Sequence, residues 1–158
     1  MPVKSGKYVA QFIDGGDVDE EQIQPNGVDL TLGKLERVSG IPIVKNGDYS
    51  KGNRQELISN DKGAFSVNLG AFIVTYDEII EIPEDCVGYV FPRSRVMRSG
   101  AFLSTALWDA GYRGKGEGML MPMTNMRVHE DTRLAQIAFI DADEAEDVYD
   151  GSHQHENL

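Results

Sequence analysis

The residues best suited to chemistry fall in one stretch, Phe91 to Met119. Its first half, Pro92-Arg93-Ser94-Arg95-Val96-Met97-Arg98, sets three guanidinium groups and a hydroxyl just ahead of an apolar run. That run ends in a carboxylate within a tight turn, Asp109-Ala110-Gly111-Tyr112, followed by Arg113. The chain has eight arginines, and four of them lie between positions 93 and 113. Guanidinium groups match phosphate oxygens with two parallel donors each. A polyphosphate held beside one positioned carboxylate accounts for both halves of the stretch.

Each residue also has a plainer reading. Asp favours the first position of a turn, so Asp109 stands between turn former and a carboxylate that orients a water and accepts its proton. Tyr112 is either a half-buried strand residue or the floor under a sugar. The arginines are a solvated helix face or a phosphate site at the start of a short helix, where free amides favour anions. Asp29 is a strand-start residue or an outer partner of a magnesium ion carried by a nucleotide. Arg133 and Gln136, in Thr-Arg-Leu-Ala-Gln-Ile-Ala-Phe, read as outward strand positions. His153 and His155 alternate near the end of the chain, as solvated tail residues or a weak metal site, and His129 has no partner pattern. No Gly-x-x-x-x-Gly-Lys phosphate loop, no Gly-x-Ser-x-Gly elbow and no His-x-Glu paired with Pro-Cys-x-x-Cys occurs; the last absence excludes a zinc-dependent nucleobase deaminase.

The elements that must position these residues are short strands. Val28, Leu30 and Leu32 alternate after the Pro25-Asn26-Gly27 turn, and AFSVNL, AFIVTY, IIEIP and CVGYVF follow from Ala64 onward. Arg93 to Ser99 suits one short helix ending at Gly100. Strands resume over Phe102 to Trp108, Glu117 to Met121 and Leu134 to Ile140, and Asn46 to Asn53 reads as a hairpin tip. Many short strands and one helix predict an all-β barrel or sandwich. The 158 residues suffice for one domain. The net charge of −11 disfavours extended nucleic-acid or anionic membrane surfaces, so a small anion must be drawn by a local patch. One cysteine, Cys86, excludes an internal disulfide framework. With neither an export signal nor a membrane span in the pattern, the expected location is the cytoplasm. Residues 147–158 are polar and acidic, too poor in apolar surface to offset the entropy of ordering. A mobile tail after a 1–146 domain is expected.

Taken together, five segments resemble the trimeric dUTPase and dCTP deaminase superfamily, and among its members the archaeal dUTPases built on the dCTP deaminase template. IQPNGVDLTLG is similar to the first motif, PRSRVMRSG to the second, LWDAGYRG to the third, TRLAQIAF to the fourth and YDGSHQHENL to the C-terminal one. The resemblance implies a distorted dUTPase-like barrel (β-clip) assembling as a homotrimer with sites between subunits. It implies hydrolysis of dUTP to dUMP and pyrophosphate, with a magnesium-chelated triphosphate. Asp109 would activate the attacking water, and Tyr112 would lie against the deoxyribose. Arg93, Ser94 and Arg98 would hold phosphates, with Gln136 reaching the same group. The strand from Leu103 to Asp109, with Thr105 and Trp108, would read the uracil edge. Tyr149 would anchor the tail and Gln154 offer donors to phosphate oxygens as the tail closes. Three positions depart from the family pattern. Met119 stands where the deaminases place a glutamate, Arg95 replaces a second serine, and the tail from Gly151 carries no lysine. A dCTP deaminase, alone or combined with dUTPase activity, and a non-catalytic nucleotide-binding regulator remain the alternatives; Glu117, two residues before Met119, is the carboxylate a deaminase would need.

Overall fold

The computed structural model describes residues 2–143 and 147–158. It opens with a helical turn, α1 (Gly6–Val9), whose start is capped by the Ser5 hydroxyl accepting from the Tyr8 amide. Three single 3-10 turns follow, then β1 (Ile23–Gln24), β2 (Gly27–Ser39), β3 (Ile43–Lys45), β4 (Asp48–Ser50), β5 (Asn53–Glu56), β6 (Ala64–Val67) and β7 (Phe72–Tyr76). The second half comprises β8 (Ile80–Glu81), β9 (Cys86–Pro92), α2 (Ser94–Arg98), β10 (Ala101–Ser104), β11 (Arg113–Gly114), β12 (Glu117–Pro122), β13 (Met126–His129) and β14 (Arg133–Asp141).

The all-β expectation holds, and the helix expected at 93–99 is α2. The helical turns before β1 were not expected, because α1, at four residues, is too short to show a helical period. The expected strand from Phe102 to Trp108 also departs: pairing with β12 stops at Ser104.

The main sheet runs β10-β12-β7-β2-β14-β9, with β1 and β5 added to β2. The long β2 makes this possible by changing partner: residues 28–31 pair with β14, 32–37 with β7 and 36–39 with β5. The register shifts at Gly33, a bulge in the middle of the strand. Across the remaining gap, Trp108 and Gly88 exchange backbone hydrogen bonds of 2.8 and 3.1 Å. Their bridge ties the segment after β10 back to β9 and nearly closes the sheet into a barrel.

Inside lie Leu30, Phe72, Tyr76, Ile137 and Phe139, all fully buried. Alternation decides which face of each strand turns outward. In β12, Gly118, Leu120 and Pro122 are buried, whereas Glu117, Met119 and Met121 share the other, half-exposed face.

Candidate active site

The turn after the Gly88–Trp108 bridge carries the carboxylate. The Tyr112 amide donates to the Asp109 carbonyl at 3.2 Å, and Gly111 takes a φ of +80°, the left-handed conformation that only glycine adopts without strain. An aspartate serving the turn would bond its own backbone with its side chain. The Asp109 side chain makes no hydrogen bond or ion pair among the described residues; it is exposed and borders a cavity of about 200 Å³.

Trp108 and Tyr112 wall that cavity, their rings edge to face at 5.4 Å. Thr105, half-buried just past β10, brings its methyl group against Gly118. Tyr112 is only 6% exposed because Tyr149 covers its other side, with ring centroids 5.8 Å apart. Its hydroxyl donates to Glu156 Oε1 at 2.9 Å. Burial, and then that carboxylate, hold the phenol protonated well above its ordinary range. The open face that a sugar would need on Tyr112 is therefore taken by the tail in the free chain.

Residues 147–158 fold back onto the turn. The Tyr149 amide donates to the Ala110 carbonyl and the His155 amide to the Arg113 carbonyl. Tyr149, expected to anchor the tail, packs its ring against Tyr112. Gln154, expected to meet phosphate oxygens, is instead spent on the turn. It accepts from the Arg113 amide at 2.8 Å and donates to the Gly111 carbonyl at 2.9 Å. The boundary expected at residue 146 lies outside the described residues.

The arginines gather elsewhere. Arg93, Arg95, Arg127, Arg133 and His129 line a recess of about 370 Å³ where α2 meets β13 and the start of β14. Arg93 sits just before α2, its amide bonded to the Leu134 carbonyl. Its Nε lies 3.1 Å from Asp29 Oδ2, and Arg133 Nη1 lies 3.5 Å from the same oxygen. Asp29 is 1% exposed. Burial raises its pKa, and Arg93, Arg133 and Arg95 pull it back. Asp29 thus aims Arg93 from beneath. The neighbours of its Oδ2 among the described residues are the guanidiniums of Arg93 and Arg133. Ser94 and Arg98 are exposed on α2, and Gln136 stands opposite Asp29 in register, on the adjoining strand. Among the described residues Arg95, Arg98 and Arg127 make no ion pair within 4 Å, and all three are exposed.

No group of three or more His, Cys, Asp or Glu side chains among the described residues converges in a geometry that would hold a metal.

The cavity and the recess share no lining residue. Gly88 of β9, opposite Trp108, and Arg93, in extended conformation just past the end of that strand, are five residues apart, roughly 16 Å at 3.3 Å per residue. Sequence reasoning missed Arg127, which carries no motif, and gave no role to His129 or to Glu156 of the C-terminal segment; strand pairing and the folded tail bring them to these sites.

The model of the dCTP deaminase-like family matches residues 3–142. A probable deoxyuridine 5'-triphosphate nucleotidohydrolase of Halobacterium salinarum is 35% identical over 156 residues, covering 96% of this chain and 93% of its own. The deoxyuridine 5'-triphosphate nucleotidohydrolase of Methanocaldococcus jannaschii is 31% identical over 144 residues, 87% of this chain and 90% of its own. Among solved structures, the 2'-deoxycytidine 5'-triphosphate deaminase of Agrobacterium tumefaciens shares the fold, with a TM-score of 0.65 and 23% identity. The match covers 89% of this chain and 48% of that one.

Proposed function

This chain belongs to the dCTP deaminase-like family, and from that premise we propose that it is a dUTP nucleotidohydrolase in which Asp109 activates the water. The observation that carries the reading is the pairing of a free carboxylate at position 109 with an apolar side chain at 119. Asp109 borders the cavity unengaged, and Met119 offers no proton to a base. Hydrolysis is thereby kept and deamination lost. The full-length relatives named as dUTP nucleotidohydrolases support the same choice.

In the reaction, Asp109 accepts a proton from water and the resulting hydroxide attacks the α-phosphorus in line. The bond from that phosphorus to the bridging oxygen breaks, and pyrophosphate leaves. General-base help contributes on the order of 10²–10⁴ in rate, so positioning and charge supply most of the acceleration. Arg93, held by Asp29, is preorganised to fork onto phosphate oxygens, with Ser94 and Arg98 beside it. Magnesium would arrive on the triphosphate and neutralise part of its charge.

The roughly 16 Å between the Trp108 level and Arg93, with no lining residue in common, supports a site composed from two copies. The arginines of one would face the Asp109 turn of another within a homotrimer. The tail would act as a lid, already rooted on the turn by Tyr149, that excludes bulk water once substrate is bound. Triphosphate binding would displace Glu156 from Tyr112, since its carboxylate repels the incoming phosphates.

Product analysis decides the function: separate incubations with dUTP and dCTP plus magnesium, resolved by chromatography. dUMP and pyrophosphate from dUTP, with dCTP not deaminated, are expected. Formation of dUTP or dUMP from dCTP would overturn the reading.

A further inference from the structure

On the reading of the Asp109 cavity as the dUTP site, we propose that Glu117 selects uracil over cytosine, with Arg54 as its positioning residue. The alternation of β12 places Glu117 on the face it shares with Met119, and its side chain lines the cavity beside Trp108 and Tyr112. Its Oε1 accepts from Arg54 Nη1 at 2.7 Å. Arg54 comes from β5, which pairs with β2 rather than with β12, and is steadied in turn by Glu36 Oε2 at 3.7 Å. The two side chains of the main pair are 22% and 21% exposed, so solvent screens the contact only in part.

A carboxylate ion-paired to a guanidinium presents lone pairs only; it accepts and does not donate. Uracil carries a hydrogen on N3 and meets such an acceptor with a charge-assisted hydrogen bond. Cytosine carries a lone pair on N3, so the same oxygen repels it. Cytosine does have a donor one position away, its exocyclic amino group, and a mobile carboxylate would swing across to it. Arg54 prevents this by fixing the carboxylate. Selectivity therefore resides in the pair: Glu117 supplies the acceptor and Arg54 denies it the alternative partner. The same engagement keeps Glu117 from acting as the proton donor that base chemistry would require.

The test measures equilibrium binding of hydrolysis-resistant α,β-imido dUTP and dCTP, with magnesium, to the full-length protein and to Glu117→Gln, Arg54→Met and Arg54→Lys. Pyrophosphate release from dUTP is followed in the parent protein alongside. A site built to bond one group discriminates strongly against an analogue lacking it, less so where solvent enters, so the dUTP-to-dCTP preference should fall on the order of tenfold in Glu117→Gln. Glutamine turns either its carbonyl or its amide toward N3 and serves both bases. Arg54→Met should lose part of the preference, chiefly through tighter dCTP binding, and Arg54→Lys should restore it. A merely structural pair would weaken both nucleotides in parallel, and that result overturns the proposal. So does a preference unchanged within about twofold in Glu117→Gln. If Glu117→Gln does not fold, the contrast between Arg54→Met and Arg54→Lys decides alone, and equal preferences in the two overturn it. A parent protein that releases no pyrophosphate from dUTP would defeat the functional reading, whereas the binding ratio would still judge Glu117.

Discussion

The cavity under the Asp109 turn and the recess beside α2 are opposites in charge and alike in construction. The cavity is bordered by Asp109, Glu117, Glu156 and His153, the recess by Arg93, Arg95, Arg127, Arg133 and His129. Each holds a charged side chain against a partner of opposite sign from another strand: Glu117 against Arg54 in the cavity, Arg93 and Arg133 against Asp29 at the recess. Neither alone suits a nucleoside triphosphate. Carboxylates repel its phosphates, and a cationic recess offers nothing to read a base. The difference shows how an acidic chain of net charge −11 can still collect a polyanion. It concentrates its cations on one patch and keeps the patch apart from the carboxylates of the cavity.

The strongest way to break that division is to disable its halves separately. Asp109→Asn should cut pyrophosphate release by on the order of 10²–10⁴ while nucleotide binding persists, because asparagine keeps the shape but cannot take the proton. Arg93→Ala should weaken nucleotide binding and lower turnover. Mixed by co-expression, the two variants should regain measurable activity if one copy supplies the arginines and another the aspartate. Co-expressed variants that stay inactive although they co-assemble would place both halves in one chain. Light scattering on the same samples should give the mass of three copies.

Removing residues 147–158 tests whether the cavity needs its cover. Turnover should fall about tenfold or more with the fold intact by circular dichroism, since the site would stay open to bulk water. A shortened protein hydrolysing dUTP at the full-length rate would make the tail a dispensable terminus.

A smaller effect is expected at the support of the recess. Asp29→Asn should destabilise the protein by about 2–3 kcal/mol, below the full cost of breaking a buried pair because both arginines reach solvent. It should also raise KM for dUTP more than it lowers kcat, because Arg93 loses its aim. A fall in kcat with KM unchanged would assign Asp29 to the chemical step instead.

The smallest effect concerns Glu78, buried beside Thr31 and outside both regions. Burial raises its carboxyl pKa above the usual 4.5, although the Thr31 amide and Gln22 offset part of the shift. A raised pKa means a stabilising contribution fully present below the unfolded value and lost as pH rises through the folded one. As pH rises above 4.5 through the raised folded-state value, the wild-type melting temperature should therefore fall relative to that of Glu78→Gln. Parallel curves for the two proteins would show no such linkage.

Much of this molecule was fixed by residue order. Alternating apolar positions dictated strands over Ala64–Val67, Phe72–Tyr76 and Cys86–Pro92, and Gly111 dictated the turn that exposes Asp109. The cluster of arginines around α2 was visible because those residues are neighbours in the chain. Tertiary structure decided what meets across the fold. Asp29 reaches Arg93 only because β14 lies between β2 and β9, and no pattern around position 29 distinguishes a guanidinium partner from a metal ion. Arg54 finds Glu117 across 63 residues of sequence. The composition of the tail argued against ordered structure, yet Tyr149 and Gln154 find in the turn's ring face and free backbone groups the partners that composition cannot count. A strand's pattern specifies which side of it is buried. Which strand lies beside it, and so which charges become neighbours, is settled only when β2 changes partner at Gly33 and the Gly88–Trp108 bridge draws the sheet round.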